Sequence, residues 1–247
     1  MSRNFRRGPG VSGPIATAAG LVVGRGGAAA AGPLDFRIAA GEALVVTGAN
    51  GAGKSTLLRT LAGLLPPVAG RIAVTGATAP DGEAARTLAE IAHYVGHRNA
   101  MKPNISVGEN LAFWRRYLGG SRDGSRSITD CLDALGLPDL SHLPQGYLSA
   151  GQQRRASLAR LLLVPRPVWI LDEPTAALDA ASQLKFAEIV EAHVAAGGLV
   201  IAATHQPLGL STTLTLDLAP FAHTAREADQ AAPAIDAAEL AAAEGWL

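Results

Sequence analysis

Eight residues, Gly48-Ala49-Asn50-Gly51-Ala52-Gly53-Lys54-Ser55, constrain this chain more than any other stretch. They follow a compact apolar run, Ala43-Leu44-Val45-Val46-Thr47, which reads as a buried strand of a mainly parallel sheet. After them Leu57, Leu58, Leu61, Leu64 and Leu65 recur at helical spacing from Ser55 to Leu65, and Pro66-Pro67 stops the pattern. A loop of the form G-x-x-x-x-G-K-[ST] between a strand and a helix is a phosphate cradle. Its glycines let backbone N–H groups converge on phosphate oxygens, and the helix adds its positive N-terminal end. Gly48 to Thr56 therefore reads as a nucleotide-phosphate site, with the Lys54 ammonium on the β- and γ-phosphates and the Ser55 hydroxyl on Mg²⁺. The chain holds 18 arginines but only three lysines, so lysine at position 54 stands against a strong bias. A planar guanidinium does not fit inside such a loop.

Two further apolar runs end in chemistry. Val168-Trp169-Ile170-Leu171 ends in Asp172-Glu173-Pro174, and Leu199 to Ala203 ends in Thr204-His205. A buried strand ending in Asp puts a carboxylate at the C-terminal edge of the sheet, beside the phosphate loop. Asp172 there suits a water-mediated hold on Mg²⁺, and Glu173 suits orienting or deprotonating an attacking water. Between these halves lies Leu148-Ser149-Ala150-Gly151-Gln152-Gln153-Arg154. Ser149 can cap a helix whose apolar face begins at Ala156 and Leu158, and the small residues at 150 and 151 leave room for a phosphate at its start. By themselves these residues describe an ordinary capped helix.

The rest of the chain bounds the architecture. At roughly 150 residues per domain, 247 residues allow one large domain or two small ones. Strands at Ile15–Val23, Leu34–Ile38 and Arg71–Thr75 join the three apolar runs, and a helix is expected over about 180–196. Strand and helix alternate as in an α/β core, interrupted by a mostly helical stretch at about 99–160. Residues 1–14 read as a disordered Gly/Pro/Arg-rich extension, 15–221 as the folded domain, and 222–247 as an Ala-rich acidic tail. Basic and acidic residues number 21 each, which argues against a broad surface for nucleic acid. The single Cys131 excludes an internal disulfide, a cysteine zinc finger and an iron–sulfur cluster held by this chain alone. No apolar run reaches the ~18–20 residues that cross a bilayer, and Arg3, Arg6 and Arg7 precede no apolar signal core, so a soluble chain is expected.

Set between Lys54 and Asp172, the segment around Ser149 resembles the signature sequence of ABC-type ATPases, over about residues 15–216 in all. The resemblance implies an α/β P-loop NTPase core with a small antiparallel β part and an inserted helical subdomain. It implies that the phosphate loop of one subunit and Ser149, Gly151 and Gln152 of a second close over the same ATP, so the working unit is a homodimeric pair. Leu178-Asp179 resembles the short segment that contacts the mate. His205 resembles the switch histidine that hydrogen-bonds the γ-phosphate; alone it would read as a structural histidine, but its place 32 residues after Glu173 reverses that. The family carries a metal- and water-sensing Gln before its helical insertion, and here that position is His97. No aromatic for adenine stands upstream of the loop, where Arg25 offers its guanidinium plane instead.

Tyr94-Val95-Gly96-His97, the run Ser106 to Trp114, Leu-Ser-Ala-Gly-Gln-Gln-Arg-Arg and the ending His205-Gln206-Pro207-Leu208 are similar to the heme-exporter ATPase branch of bacterial cytochrome c biogenesis. That implies integral membrane partner subunits, a place on the cytoplasmic face of the inner membrane, and heme as cargo or as the group released from a carrier. Phe113, Trp114 and Tyr117 form either a core helix or, with His97 and Glu109, a docking surface for a short helix of the membrane subunit. No C-x-x-C-H motif is present, and no direct heme ligand is identified. Two other readings share these motifs. The ATP-binding subunit of another ABC transporter would differ only around 94–118. A soluble, non-transport ABC ATPase of the DNA-tethering kind needs a long coiled coil where in this chain Ser149 follows Lys54 by only 95 positions, without heptads.

Overall fold

The computed structural model describes residues 13–119, 126–206, 208–210 and 213–222. The expected N-terminal extension, apart from its last two residues, and the tail beyond residue 222 lie outside the described residues. The elements are β1 (Ile15–Arg25), β2 (Ala28–Ala39), β3 (Ala43–Thr47), α1 (Lys54–Leu61), β4 (Ala69–Thr75), α2 (Leu88–Ile91) and β5 (Ala92–Val95). They continue with α3 (Val107–Tyr117), α4 (Ile128–Ala134), α5 (Ala150–Leu158), α6 (Arg160–Leu163), β6 (Val168–Asp172), α7 (Ala180–Ala195), β7 (Leu199–Ala203) and β8 (Leu214–Asp217).

Five strands form a parallel sheet in the order β5-β6-β7-β3-β8. Both of its faces are covered, so its strands need apolar residues on both sides. Along β6, Val168 and Ile170 enter one core while Trp169 and Leu171 enter the other. Along β7, Leu199, Ile201 and Ala203 alternate in the same way with Val200 and Ala202. One core is closed by α1 and by a smaller antiparallel sheet, β2-β1-β4. The other is closed by the helices between 107 and 163 together with α7, through Leu111, Leu132, Leu158, Phe186 and Val190. Cys131 is fully buried there, and burial pushes its thiol pKa up to about 11, as suits a small inert hydrophobe.

The N-terminal strands differ from the sequence expectation. The two short strands and the Gly/Ala-rich stretch between them form one hairpin, β1 against β2, with its turn at Gly26-Gly27. The helix after the phosphate loop is also shorter than its leucine pattern, ending at Leu61 instead of Leu65. Gly63 takes φ 75°, Gly63 N–H donates to Thr60 O and Leu64 N–H to Arg59 O, closing a Schellman turn before the prolines are reached. No helix among the described residues is long and apolar enough to cross a membrane.

Candidate functional site

The sheet order places three neighbouring strands, β6, β7 and β3, side by side with their carboxyl ends together. Asp172 pairs in register with Ala203, and Ala203 with Val46, so the segments that follow these strands leave from one edge. That edge of an open parallel sheet is where ligands bind. It brings together residues more than a hundred positions apart. Lys54 Nζ lies 3.5 Å from His205 Nε2, and His205 Nε2 lies 3.6 Å from Glu173 Oε1. Lys54 also donates to the carbonyls of Gly48, at 2.6 Å, and Ala49, at 3.1 Å, so its ammonium sits inside the loop.

The loop is built by backbone conformations that side chains resist. Gly51 and Gly53 have φ 87° and 92°, in the left-handed region. A Cβ on Gly53 would also come within 3.2 Å of Ala31 Cβ, because β2 runs alongside the loop. Arg25 is exposed on the tip of that same hairpin. Thr56, the last residue of the expected phosphate site, is buried, while Ser55 is partly exposed at the start of α1.

Asp172 and Glu173 divide their environments sharply. Asp172 is 2% exposed, and its Oδ2 is a buried oxygen with no hydrogen-bond partner among the described residues. An orphaned buried carboxylate oxygen calls for a cation or its water shell, so the donor set of Ser55 and Asp172 fits Mg²⁺. Glu173 is partly exposed and adopts φ 47°, unusual for a residue with a side chain. Its N–H is fixed by Ala203 O at 2.8 Å. This turn lifts the carboxylate out of the strand direction toward His205.

Ser149 caps α5 in a complete capping box: Gln152 N–H donates to Ser149 Oγ at 3.3 Å, and Ser149 N–H to Gln152 Oε1 at 2.9 Å. Ser149 and Ala150 are exposed. A Cβ on Gly151 would meet the carbonyl of Ala177, itself at φ 64°, at 3.0 Å. Among the described residues, no hydrogen bond or ion pair joins Ser149–Gln152 to the Lys54–Glu173–His205 group. Within one chain the Ser149 cap and the Lys54 group are thus not bonded to each other.

A family model described as ABC transporter matches residues 31–176. The chain belongs to the ABC transporter family. Its relatives include the cytochrome c biogenesis ATP-binding export protein CcmA of Rhizobium johnstonii, 55% identical over 190 residues, 76% of this chain and 87% of the relative. CcmA of Rhizobium meliloti is 53% identical over 208 residues, 83% of this chain and 98% of the relative. Among solved structures, an ABC transporter ATP-binding protein from Pyrococcus furiosus shares the fold, with TM-score 0.68 over 85% of this chain and all of that one, at 24% identity. A bacterial Atm1-family ABC exporter with ATP bound superposes with TM-score 0.63 at 28% identity, over 83% of this chain and 37% of that one. The chain is an ATP-hydrolysing transporter subunit that binds nucleotide.

In this ABC ATPase the segment expected to meet a partner begins after β5, whose last residue Val95 pairs with Leu171, so it leaves from the same edge of the sheet. His97 is exposed just beyond β5. A cavity of about 770 Å³ opens next to it, lined by Arg98, Met101, Lys102, Glu109, Phe113 and Arg116 among others. The aromatic cluster of α3 divides between the two readings open at the sequence level. Trp114 is core, donating from Nε1 to Ala100 O at 2.9 Å with the Arg160 guanidinium 4.3 Å from its ring centroid. Phe113 and Tyr117 are 44% and 64% exposed and stack on each other outside. Glu109 lines the cavity, but its carboxylate also closes a capping box with Ser106, which holds its pKa below the usual carboxylate range. Sequence reasoning gave no role to Arg154, which lies buried behind the site; an arginine one turn into a capped helix carries no signal of what it faces.

Proposed function

We propose that this chain is the ATP-hydrolysing subunit of a heme-export or heme-delivery complex in cytochrome c biogenesis. The observation that carries the reading is that one polypeptide holds two half-sites with no bond between them among the described residues: Lys54, Glu173 and His205 converge at one sheet edge, while exposed Ser149 and partly buried Gly151 begin a capped helix. The heme branch draws its support from the 94–118 segment and from relatives named for cytochrome c biogenesis export.

In this reading two copies pair, and ATP lies between residues 48–56 of one and Ser149, Gly151 and Gln152 of the other. Lys54 exchanges its carbonyl partners for β- and γ-phosphate oxygens and stabilises the developing charge. Glu173 orients the attacking water, and His205 donates to the γ-phosphate. Ser55 and Asp172 would hold Mg²⁺, with His97 placed to sense its water; the ion, when bound, neutralises phosphate charge. Leu178-Asp179 would touch the mate, and Arg25 would face the adenine.

The cavity beside His97, with exposed Phe113 and Tyr117 near it, receives a short helix of an integral membrane subunit on the cytoplasmic face of the inner membrane. Affinity purification of the tagged chain in mild detergent tests this. Recovery of integral membrane subunits, with cytochrome c assembly lost when Phe113 and Tyr117 are both changed to Ala, supports the reading. Recovery of soluble scaffold proteins alone overturns it.

A further inference from the structure

Arg154 is 3% exposed, yet its guanidinium makes no hydrogen bond or ion pair with a carboxylate among the described residues. Every bond runs to a backbone carbonyl. Nε donates to Pro174 O at 3.2 Å, Nη1 to Gly96 O at 2.8 Å, and Nη2 to Asp172 O at 3.0 Å and Glu173 O at 2.7 Å. Three consecutive acceptors belong to the turn that carries the hydrolytic carboxylate. The fourth, Gly96, adjoins His97 and Arg98 at the rim of the large cavity. The base of the side chain sits in α5, the helix that Ser149 opens.

Burying a cation is costly unless its donors are met, and a planar fork with five N–H groups suits several acceptors fixed in one layer. Burial pulls the Arg154 pKa down to about 10, against the pull of the nearby Asp172 and Glu173 charges, so it remains charged at neutral pH. Its partners are those that need holding. Glu173 adopts a left-handed backbone that persists only where the surroundings fix it. Ala203 O fixes its N–H, and Arg154 fixes its C=O. A rotation of that peptide would turn the carboxylate away from His205.

We infer that Arg154 is a positioning residue for ATP hydrolysis, a clamp that holds the Glu173 turn in its catalytic conformation and ties it to the Gly96–Arg98 segment and the signature helix. Movement of the cavity rim or of α5 then changes the setting of Glu173 without touching nucleotide. The clamp rests on the ATPase activity alone and not on the identity of the cargo.

The test uses the full-length chain, with steady-state and single-turnover hydrolysis, equilibrium ATP binding and thermal unfolding measured on each variant. Arg154→Ala should lower kcat about 100-fold, the scale of an ångström-sized misplacement, with ATP affinity unchanged. Arg154→Lys should recover part of the rate, because one ammonium cannot bridge all four carbonyls. In a Glu173→Gln background Arg154→Ala should add no further loss, since its effect passes through that carboxylate. Retained kcat in a folded Arg154→Ala variant overturns the inference. So does loss of ATP affinity in parallel with rate, or full additivity with Glu173→Gln. Should the Ala variant fail to fold, the Lys variant carries the same comparisons.

Discussion

His205 Nε2 faces Glu173 Oε1 at 3.6 Å across the carboxyl ends of β7 and β6. The same nitrogen lies 3.5 Å from Lys54 Nζ, and it cannot serve both neighbours at once. Ammonium only donates, so contact with Lys54 requires a neutral imidazole with its proton on Nδ1; contact with Glu173 requires a proton on Nε2. In the proposed function a γ-phosphate entering between them would draw Lys54 away and give a protonated Nε2 a new acceptor. The three groups would then surround the phosphate charge.

Glu173→Gln keeps the size of the side chain and the backbone turn but removes the proposed base. ATP binding should persist while hydrolysis drops about 100- to 10,000-fold, the range for loss of general-base assistance. Because the closed state no longer discharges, a dimer should accumulate on addition of ATP, visible by size-exclusion with light scattering. Undiminished turnover, or a strictly monomeric ATP-loaded variant, contradicts the assignment.

Lys54→Ala leaves the Gly48 and Ala49 carbonyls without their donor and the phosphates without a cation. A charge-assisted hydrogen bond is worth about 1.5–3 kcal/mol, so ATP affinity should fall about 10- to 100-fold by isothermal titration. Lys54→Arg should fare little better, since the fork is too wide for a space in which Nζ already sits 2.6 Å from Gly48 O. Unaltered binding by either variant would remove Lys54 from the phosphate site.

Much of this site is legible in the sequence because phosphate chemistry leaves local marks. A loop that exposes N–H groups needs glycine at positions such as 51 and 53, and a strand ending in Asp172 announces an edge. Ser149 followed by Gln152 spells out its own capping box. Less legible is whatever depends on packing between distant segments. Strand β5 was hidden because Ala92–Val95 is short, and β8 because Leu214–Asp217 has the alternation of an edge strand with few apolar residues. Arg154 acquires its partners only when Gly96 and the Asp172–Pro174 turn fold around it. Trp114 and Phe113, adjacent in sequence, part company because a helix turns about 100° per residue and only one of them can face the core.

Asp172 makes the metal dependence testable. Its Oδ2 is buried and has no partner among the described residues, as the proposed cation site would require. Chelation with EDTA should abolish hydrolysis, and Mg²⁺ should restore it. Asp172→Asn, which keeps shape but loses charge, should shift the Mg²⁺ dependence of hydrolysis to higher concentration while ATP still binds. Full activity in EDTA, or an unshifted Mg²⁺ titration, would exclude this role.

Two histidines outside the site set the response of the fold to acid. His93 is buried, its ring in contact with Val164 O through Nε2 at 2.8 Å, and burial drives its pKa from about 6.5 down to about 3. His193 stacks on Trp169 with centroids 3.8 Å apart, and burial lowers it to about 4. Below the ordinary value near 6.5 the unfolded chain takes up protons at both rings that the native chain refuses, so unfolding is favoured as pH falls. The stability held by neutral burial is complete above about pH 6.5 and is lost progressively toward the native values, at about 1.4 kcal/mol per pH unit for each histidine. Urea unfolding followed from pH 7 to about pH 5 should therefore show a midpoint that declines on acidification. His93→Gln, which offers an N–H to Val164 O but no titrating proton, should remove about half of that slope. A midpoint flat over this interval, or a His93→Gln slope equal to that of the parent chain, would mean that His93 is not the buried neutral group its surroundings require.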